Sequence, residues 1–316
     1  MRDDARYRAA EAAVWERHEL PSPTEHWVDH PRGRIRVLAR GEGRPVLFIH
    51  GSPTAGASLV PLAGALASGP LSGLRVLVVD RPGCGLSDPL DPPPATSGEL
   101  FDATTAALAA VIEAHSAGPA DVVGSSAGGA AALTLAARRP ELVRTLVLEG
   151  APLLAGARLP APLRASSLRP VARAVTRRRV TEADLRRSFR AMGHARLLSR
   201  GGLAGPDLAW RVAVARHTDT YAHELALIRL AASWRGLRAG WAPGRETLEE
   251  VRAPSLWLVG DRDPFSSPAR VRAWAAHAPG STVRILPGQG HQPWMDDAVG
   301  HARAIVRWWR GPRMRP

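Results

Sequence analysis

The stretch VVGSSAGG, residues 122–129, ends an apolar run on two adjacent serines set among small residues. A serine hydroxyl is a poor nucleophile and becomes reactive only when a base takes its proton and a third group orients that base. Ser126 alone stands at the centre of a G-x-S-x-G pattern, with Gly124 and Gly128 on either side; around Ser125 those places are held by Val123 and Ala127. This spacing suits a strand that turns sharply into a helix, where the nucleophile sits in strained φ/ψ and side chains two residues away would clash. The base candidate is His291 in PGQGHQPW. The acid candidate is Asp263 in GDRDPF, with Asp261 and Glu149 as rivals. Taken alone, Ser126 is equally a turn serine, since Gly and Ser populate turns everywhere.

Each of these residues follows a predicted strand. Short apolar runs predict strands at Glu25–Val28, Arg34–Ala39, Val46–Ile49, Arg75–Val79, Asp121–Val123, Thr145–Leu148, Leu256–Val259 and Thr282–Leu286. The last six are nearly continuous in apolar residues, as expected of parallel strands covered on both faces. Arg34–Ala39 instead alternates, with Ile35, Val37 and Ala39 on one side, which predicts an antiparallel edge hairpin. Helices fall between the runs. Thr96–Glu99 has capping-box spacing ahead of Leu100, Ala103, Ala107, Leu108 and Val111, and Ser267-Pro268 reads as an N-cap with Pro at the first helical position. Alternating strands and helices predict an α/β fold with a mostly parallel eight-stranded sheet.

Charge marks out one segment. The 316 residues carry no Lys, and the formal charge is +13. Residues 155–245 hold 18 arginines against five acids, while the rest of the chain has 24 of each. This segment predicts helices, among them Thr181–Met192 and Pro206–Ala232, and no strand; it reads as an insertion over the strand ends. Trp210, Tyr221, Trp234 and Trp241 are expected to pack it on the core or to line an acyl pocket. Most of its arginines read as solvated helix faces. The expected division is a helical extension over 1–24, a core from 25–151 and 249–316, and an arginine-rich cap over 152–248. The single Cys84 allows no intramolecular disulfide. A charged start and the lack of 18 consecutive apolar residues predict a cytoplasmic protein with no signal peptide and no transmembrane segment.

Five segments then agree on a family. FIHGSPTAG, VVDRPGCGLSD, GSSAGG, GDRDPF and GHQPW occur in an order, Ser126…Asp263…His291, that resembles the serine-nucleophile branch of the α/β-hydrolase superfamily. The resemblance implies a helical cap after the sixth strand. It also implies an oxyanion hole from the backbone N–H groups of Ser52 and Ala127, Asp263 rather than Asp261 as the acid, and a bracing role for His50.

The resulting expectation is a hydrolase that cleaves a carboxylic ester-like bond through an acyl-enzyme, with no metal or organic cofactor. Its partner would be a small-molecule substrate with an anionic or apolar acyl group. Lactone hydrolysis, C–C hydrolysis and acyl transfer could use the same triad, and a non-catalytic small-molecule receptor could use the same scaffold. Dehalogenases and epoxide hydrolases of the superfamily place Asp where Ser126 stands. Nucleic-acid binding is not expected, because no known module is present and charge outside the insertion cancels.

Overall fold

A computed structural model describes residues 2–68 and 73–311. Residues 1 and 312–316, the outer ends of the two expected flanking segments, lie outside the described residues. Among the described residues ten strands form, in chain order β1 (Thr24–Val28), β2 (Ile35–Arg40), β3 (Arg44–Ile49), β4 (Leu74–Val79), β5 (Ala120–Ser125), β6 (Val143–Glu149), β7 (Ala232–Ser233), β8 (Gly236–Leu237), β9 (Ser255–Gly260) and β10 (Ser281–Leu286). Eight of them make one sheet in the order β1-β2-β4-β3-β5-β6-β9-β10. β1 pairs antiparallel with β2 and β2 with β4, and every other pairing in the sheet is parallel. All eight match the apolar runs of the sequence.

Side chains alternate between two buried clusters, as the period of two in a strand demands. Val122, Leu146, Leu148 and Trp257 enter one, packed with helices Ser97–His115, Ala127–Arg138 and Pro268–Ala275. Val123, Val147, Leu256 and Leu258 enter the other, packed with helices Asp4–Arg17, Val60–Ala67 and Ala298–Trp309. Helix starts follow their caps: Thr96 accepts from Glu99 N–H and Ser267 from Arg270 N–H.

The antiparallel edge hairpin expected from Arg34–Ala39 forms: β1 pairs with β2 at the sheet edge, and β2, one strand in, is buried on both faces. The N-terminal helix covers its second face, and Arg36 is buried there between Glu11, Glu25 and Asp80. Arg36 is an internal ion-pair hub that ties the N-terminal helix to β1 and to the end of β4.

Between β6 and β9 lie helices Ala161–Ala165, Arg169–Arg177, Glu182–Ala191, Ala195–Ser199, Pro206–His217, Thr220–Ala231 and Arg245–Glu250. The single segment predicted over Pro206–Ala232 breaks at Thr218-Asp219, where the Thr218 hydroxyl donates to Val214 O and accepts from Thr220 N–H. The insertion is also not purely helical, because β7 and β8 pair as a small ribbon. Trp210 is buried against the N-terminal helix cluster, but Trp234, at the ribbon turn, is 56% exposed and packs neither core nor pocket. Among the described residues no helix is long and apolar enough to cross a membrane.

Candidate active site

β5 delivers Ser126. The strand ends at Ser125 and helix Ala127–Arg138 follows, so Ser126 makes the whole turn, with φ +53° and ψ −116°. Such a conformation costs a non-glycine residue on the order of 1–3 kcal/mol. The flanking glycines are required by contact: a Cβ at Gly124 would lie 2.6 Å from the Gly128 carbonyl oxygen, and one at Gly128 would run into the Ile49 carbonyl.

β10 and β9 deliver the other two residues. In the loop after β10, His291 Nδ1 lies 2.8 Å from Asp263 Oδ2, in the loop after β9. A carboxylate only accepts, so Nδ1–H donates and Nε2 is the free acceptor. Asp263 also accepts from the N–H groups of Ala151 (3.0 Å) and Phe265 (2.8 Å), which fixes its two oxygens. The Phe265 ring lies 4.1 Å from that of His291. The turn leaving β6 touches all three residues. Ala151 N–H reaches Asp263, Leu153 N–H donates to Ser126 O at 3.0 Å, and Gly150 lies so close to His291 O that a Cβ would collide. Ser126 Oγ and His291 are not hydrogen-bonded to each other in this structure; catalytic contacts often tighten only with substrate bound.

The rival acids are engaged elsewhere. Asp261 is exposed and accepts from Gly288 N–H at 2.7 Å. Glu149 is fully buried and faces His301.

Ser52 and Ala127 flank the turn at Ser126. Gly51 packs so closely that a Cβ there would lie 3.0 Å from Ser126 Cβ. Ala127 N–H opens its helix, where the first N–H groups have no partner inside the helix and carry partial positive charge. Behind Ser52 is a buried network that the sequence did not suggest. The Ser52 hydroxyl donates to Glu224 of helix Thr220–Ala231, which also accepts from Arg81 Nη2 (2.6 Å) and Cys84 Sγ (3.0 Å). Burial alone would raise the Glu224 pKa, but Arg81 and the bonds from Ser52 and Cys84 outweigh it and hold the carboxyl at about 2. Arg81 in turn donates to His50 O (3.0 Å), and its N–H donates to His50 Nε2 (3.0 Å). Burial, then the charge of Arg81, pulls His50 down to about 4, so the imidazole stays neutral and braces the loop. Asp80 at the end of β4 accepts from Gly56 N–H (2.8 Å) and Leu86 N–H (3.1 Å) and ties the neighbouring loops together.

Two cavities meet at Ser52. One, of about 140 Å³, is apolar, with Ala127, Ala130 and Leu153 below and Leu227, Ile228 and Trp241 above. The other, of about 250 Å³, runs past Gln292, the residue after His291, to Phe189, Arg211 and Tyr221. A larger groove of about 610 Å³ between helices Val60–Ala67 and Ala298–Trp309 touches none of the residues above. Among the described residues no group of three or more His, Cys, Asp or Glu is placed to hold a metal ion.

A strained serine between a parallel strand and a helix, with an Asp–His pair beyond later strands, defines a class of protein. A family model described as the alpha/beta hydrolase fold matches residues 44–298. The chain belongs to that family and is a hydrolase. It is 30% identical over 272 residues to a pimeloyl-[acyl-carrier protein] methyl ester esterase of Xanthomonas campestris, covering 85% of this chain and 96% of the relative. It is 39% identical over 119 residues to a 2-hydroxymuconate semialdehyde hydrolase of Pseudomonas putida, covering 37% of this chain and 40% of that one. The crystal structure of carboxylesterase CesB from Bacillus subtilis superposes with a TM-score of 0.70 at 16% identity, covering 98% of both chains, a likeness of fold.

Proposed function

We propose that the protein cleaves a carboxylic ester through a Ser126–His291–Asp263 triad, with the N–H groups of Ser52 and Ala127 as the oxyanion hole. The observation that carries this reading is the 2.8 Å bond from His291 to a twice-anchored Asp263, beside a serine held at positive φ. Ser126 Oγ attacks the ester carbonyl while its proton passes to His291 Nε2. The oxyanion accepts from Ser52 N–H and Ala127 N–H, worth roughly 3 kcal/mol for each donor. The tetrahedral adduct collapses as Nε2–H protonates the departing alkoxide, leaving an acyl-enzyme. Water then loses a proton to Nε2 and attacks the acyl carbon; the acid leaves and Ser126 recovers its proton. Asp263 keeps the imidazole in the required tautomer throughout.

Residues 152–248 act as a cap over this site, on a core built from 25–151 and 249–316, with 1–24 as a helical extension. The apolar cavity beside Ala127 suits a short acyl chain, since it is far below the 300–1,000 Å³ that drug-sized ligands occupy. The named activity of the Xanthomonas relative extends the candidates to acyl chains borne on a carrier protein, for which the basic outer face of the insertion is a suitable neighbour. Hydrolysis of a C–C bond is the second reading, favoured by the stretch shared with the Pseudomonas hydrolase. A series of p-nitrophenyl esters from acetate to octanoate tests the first. A burst of nitrophenolate stoichiometric with enzyme is expected, with kcat/KM falling toward octanoate. Equal turnover by Ser126→Ala would contradict it, and turnover of a ring-cleavage dienone without ester turnover would favour the second reading.

A further inference from the structure

The cavity beside Gln292 contains a buried cation with no anion. Arg211, on helix Pro206–His217, is 6% exposed. The other strongly buried arginines are paired: Arg36 with Glu11, Glu25 and Asp80, and Arg81 with Glu224. Among the described residues none forms an ion pair with Arg211. Its neighbours are Gln292 Oε1 at 3.3 Å from Nη2, Met295 Sδ at 3.5 Å, and the rings of Phe189 and Trp210 at 4.9 and 5.6 Å. Among the described residues its Nε–H has no acceptor. Asp207, one turn earlier, is held from the other side by Arg17 and His18 at 2.9 Å each.

A second donor in the same cavity is also unused. Thr54, two residues after Ser52, lines it with a buried hydroxyl that has no partner among the described residues. Asp184 is the one carboxylate on the lining, and its charge is met by Arg178 and Arg187 at the surface. Burial of a cation without a partner is costly, and buried charges are ordinarily paired. Burial pulls the Arg211 guanidinium down to about 10, against the pull of Asp207, so it remains charged at neutral pH.

We infer that Arg211 anchors a carboxylate on the substrate, with the Thr54 hydroxyl as a further donor. Planar guanidinium donors and carboxylate oxygens match in charge and geometry, which makes this anion the natural occupant. With the ester carbonyl at Ser126, the substrate class is an ester that also carries a free carboxylate, such as the half-ester of a dicarboxylic acid. The inference rests on Ser126 as nucleophile for its kinetic consequence, but not for binding.

The test compares p-nitrophenyl hydrogen glutarate with its neutral methyl diester, p-nitrophenyl methyl glutarate. Wild type should favour the charged ester in kcat/KM by tenfold or more. That ratio should fall at least tenfold in Arg211→Met and recover in part in Arg211→Lys. Free glutarate should raise the Tm of wild type and of Ser126→Ala, and not of Arg211→Met. A wild-type ratio at or below one, with no glutarate shift, overturns the anion site even when Ser126 is reactive. Loss of all ester turnover with the glutarate shift intact would instead remove the nucleophile and leave the site standing. If Arg211→Met does not fold, the wild-type ratio and the glutarate shift still decide.

Discussion

Two buried histidines in the same part of the chain, His291 and His301, each hold a carboxylate through Nδ1, yet they are equipped for different work. His291 meets Asp263 at 2.8 Å and keeps Nε2 unbonded among protein atoms. His301, on helix Ala298–Trp309, meets both oxygens of Glu149 at 3.0 and 2.9 Å, and its Nε2 faces Gln289 Oε1 at 2.9 Å. With acceptors at both nitrogens, His301 is suited to be a cation locked in an ion pair. Burial pushes its pKa down, but the charge of Glu149 and the bond to it outweigh this and leave it raised. A His–carboxylate pair is therefore not in itself a catalytic device. What separates the two is a ring nitrogen with no hydrogen-bond partner among the described residues, on a histidine that the turn leaving β6 joins to the strained serine.

That contrast can be broken from either side. The largest effect expected is on His291→Ala, which should lower kcat/KM by about 10⁴- to 10⁶-fold while the melting curve changes little. His301→Gln should do the reverse. Removing one partner of a buried pair costs roughly 3–5 kcal/mol, so Tm should fall clearly while kcat/KM in the surviving folded protein stays near wild type. The pH dependence sharpens the difference. A raised folded pKa means that the His301 contribution is complete below the ordinary value near 6.5 and is lost as pH rises through the folded value. The Tm gap between wild type and His301→Gln should thus narrow from pH 6 to pH 9.

Glu224→Gln probes the clamp between the insertion and the loop that carries Ser52. It removes the counter-charge of Arg81 and alters the acceptor for Ser52, so kcat should fall more than KM rises, in steady-state ester kinetics. Because the folded Glu224 pKa is depressed to about 2, its contribution is held above the ordinary value near 4.5 and lost as pH falls toward 2. The stability gap to the Gln variant should close over that acid range. The smallest effect concerns Cys84, whose pKa is raised by burial and by the charge of Glu224. Iodoacetamide should leave it unmodified in native protein at pH 8 and label it once unfolded, as mass spectrometry would read.

How far the site could be read in advance follows the same physics. Ser126, Asp263 and His291 each stand just after an apolar strand run, where period-two packing makes the strand visible and the following loop short. Gly124 and Gly128 were legible because only sterics explain them. Glu224 was not legible: it meets Ser52 across 172 residues, and nothing in TYAHELALIRLA shows which face turns inward. Arg211 was hidden among 18 arginines of its segment, since burial alone distinguishes it. Arg36 was not legible either, because its partners Glu11, Glu25 and Asp80 come from three separate segments.

The central claim is that Ser126 is the activated nucleophile served by His291. Intact-protein mass after exposure to a fluorophosphonate tests it most directly, on wild type, Ser126→Ala, His291→Ala and His301→Gln. One adduct on wild type and on His301→Gln, none on Ser126→Ala and strongly slowed labelling of His291→Ala is the expected pattern. An adduct that persists in Ser126→Ala, or none on folded wild type, would contradict the claim.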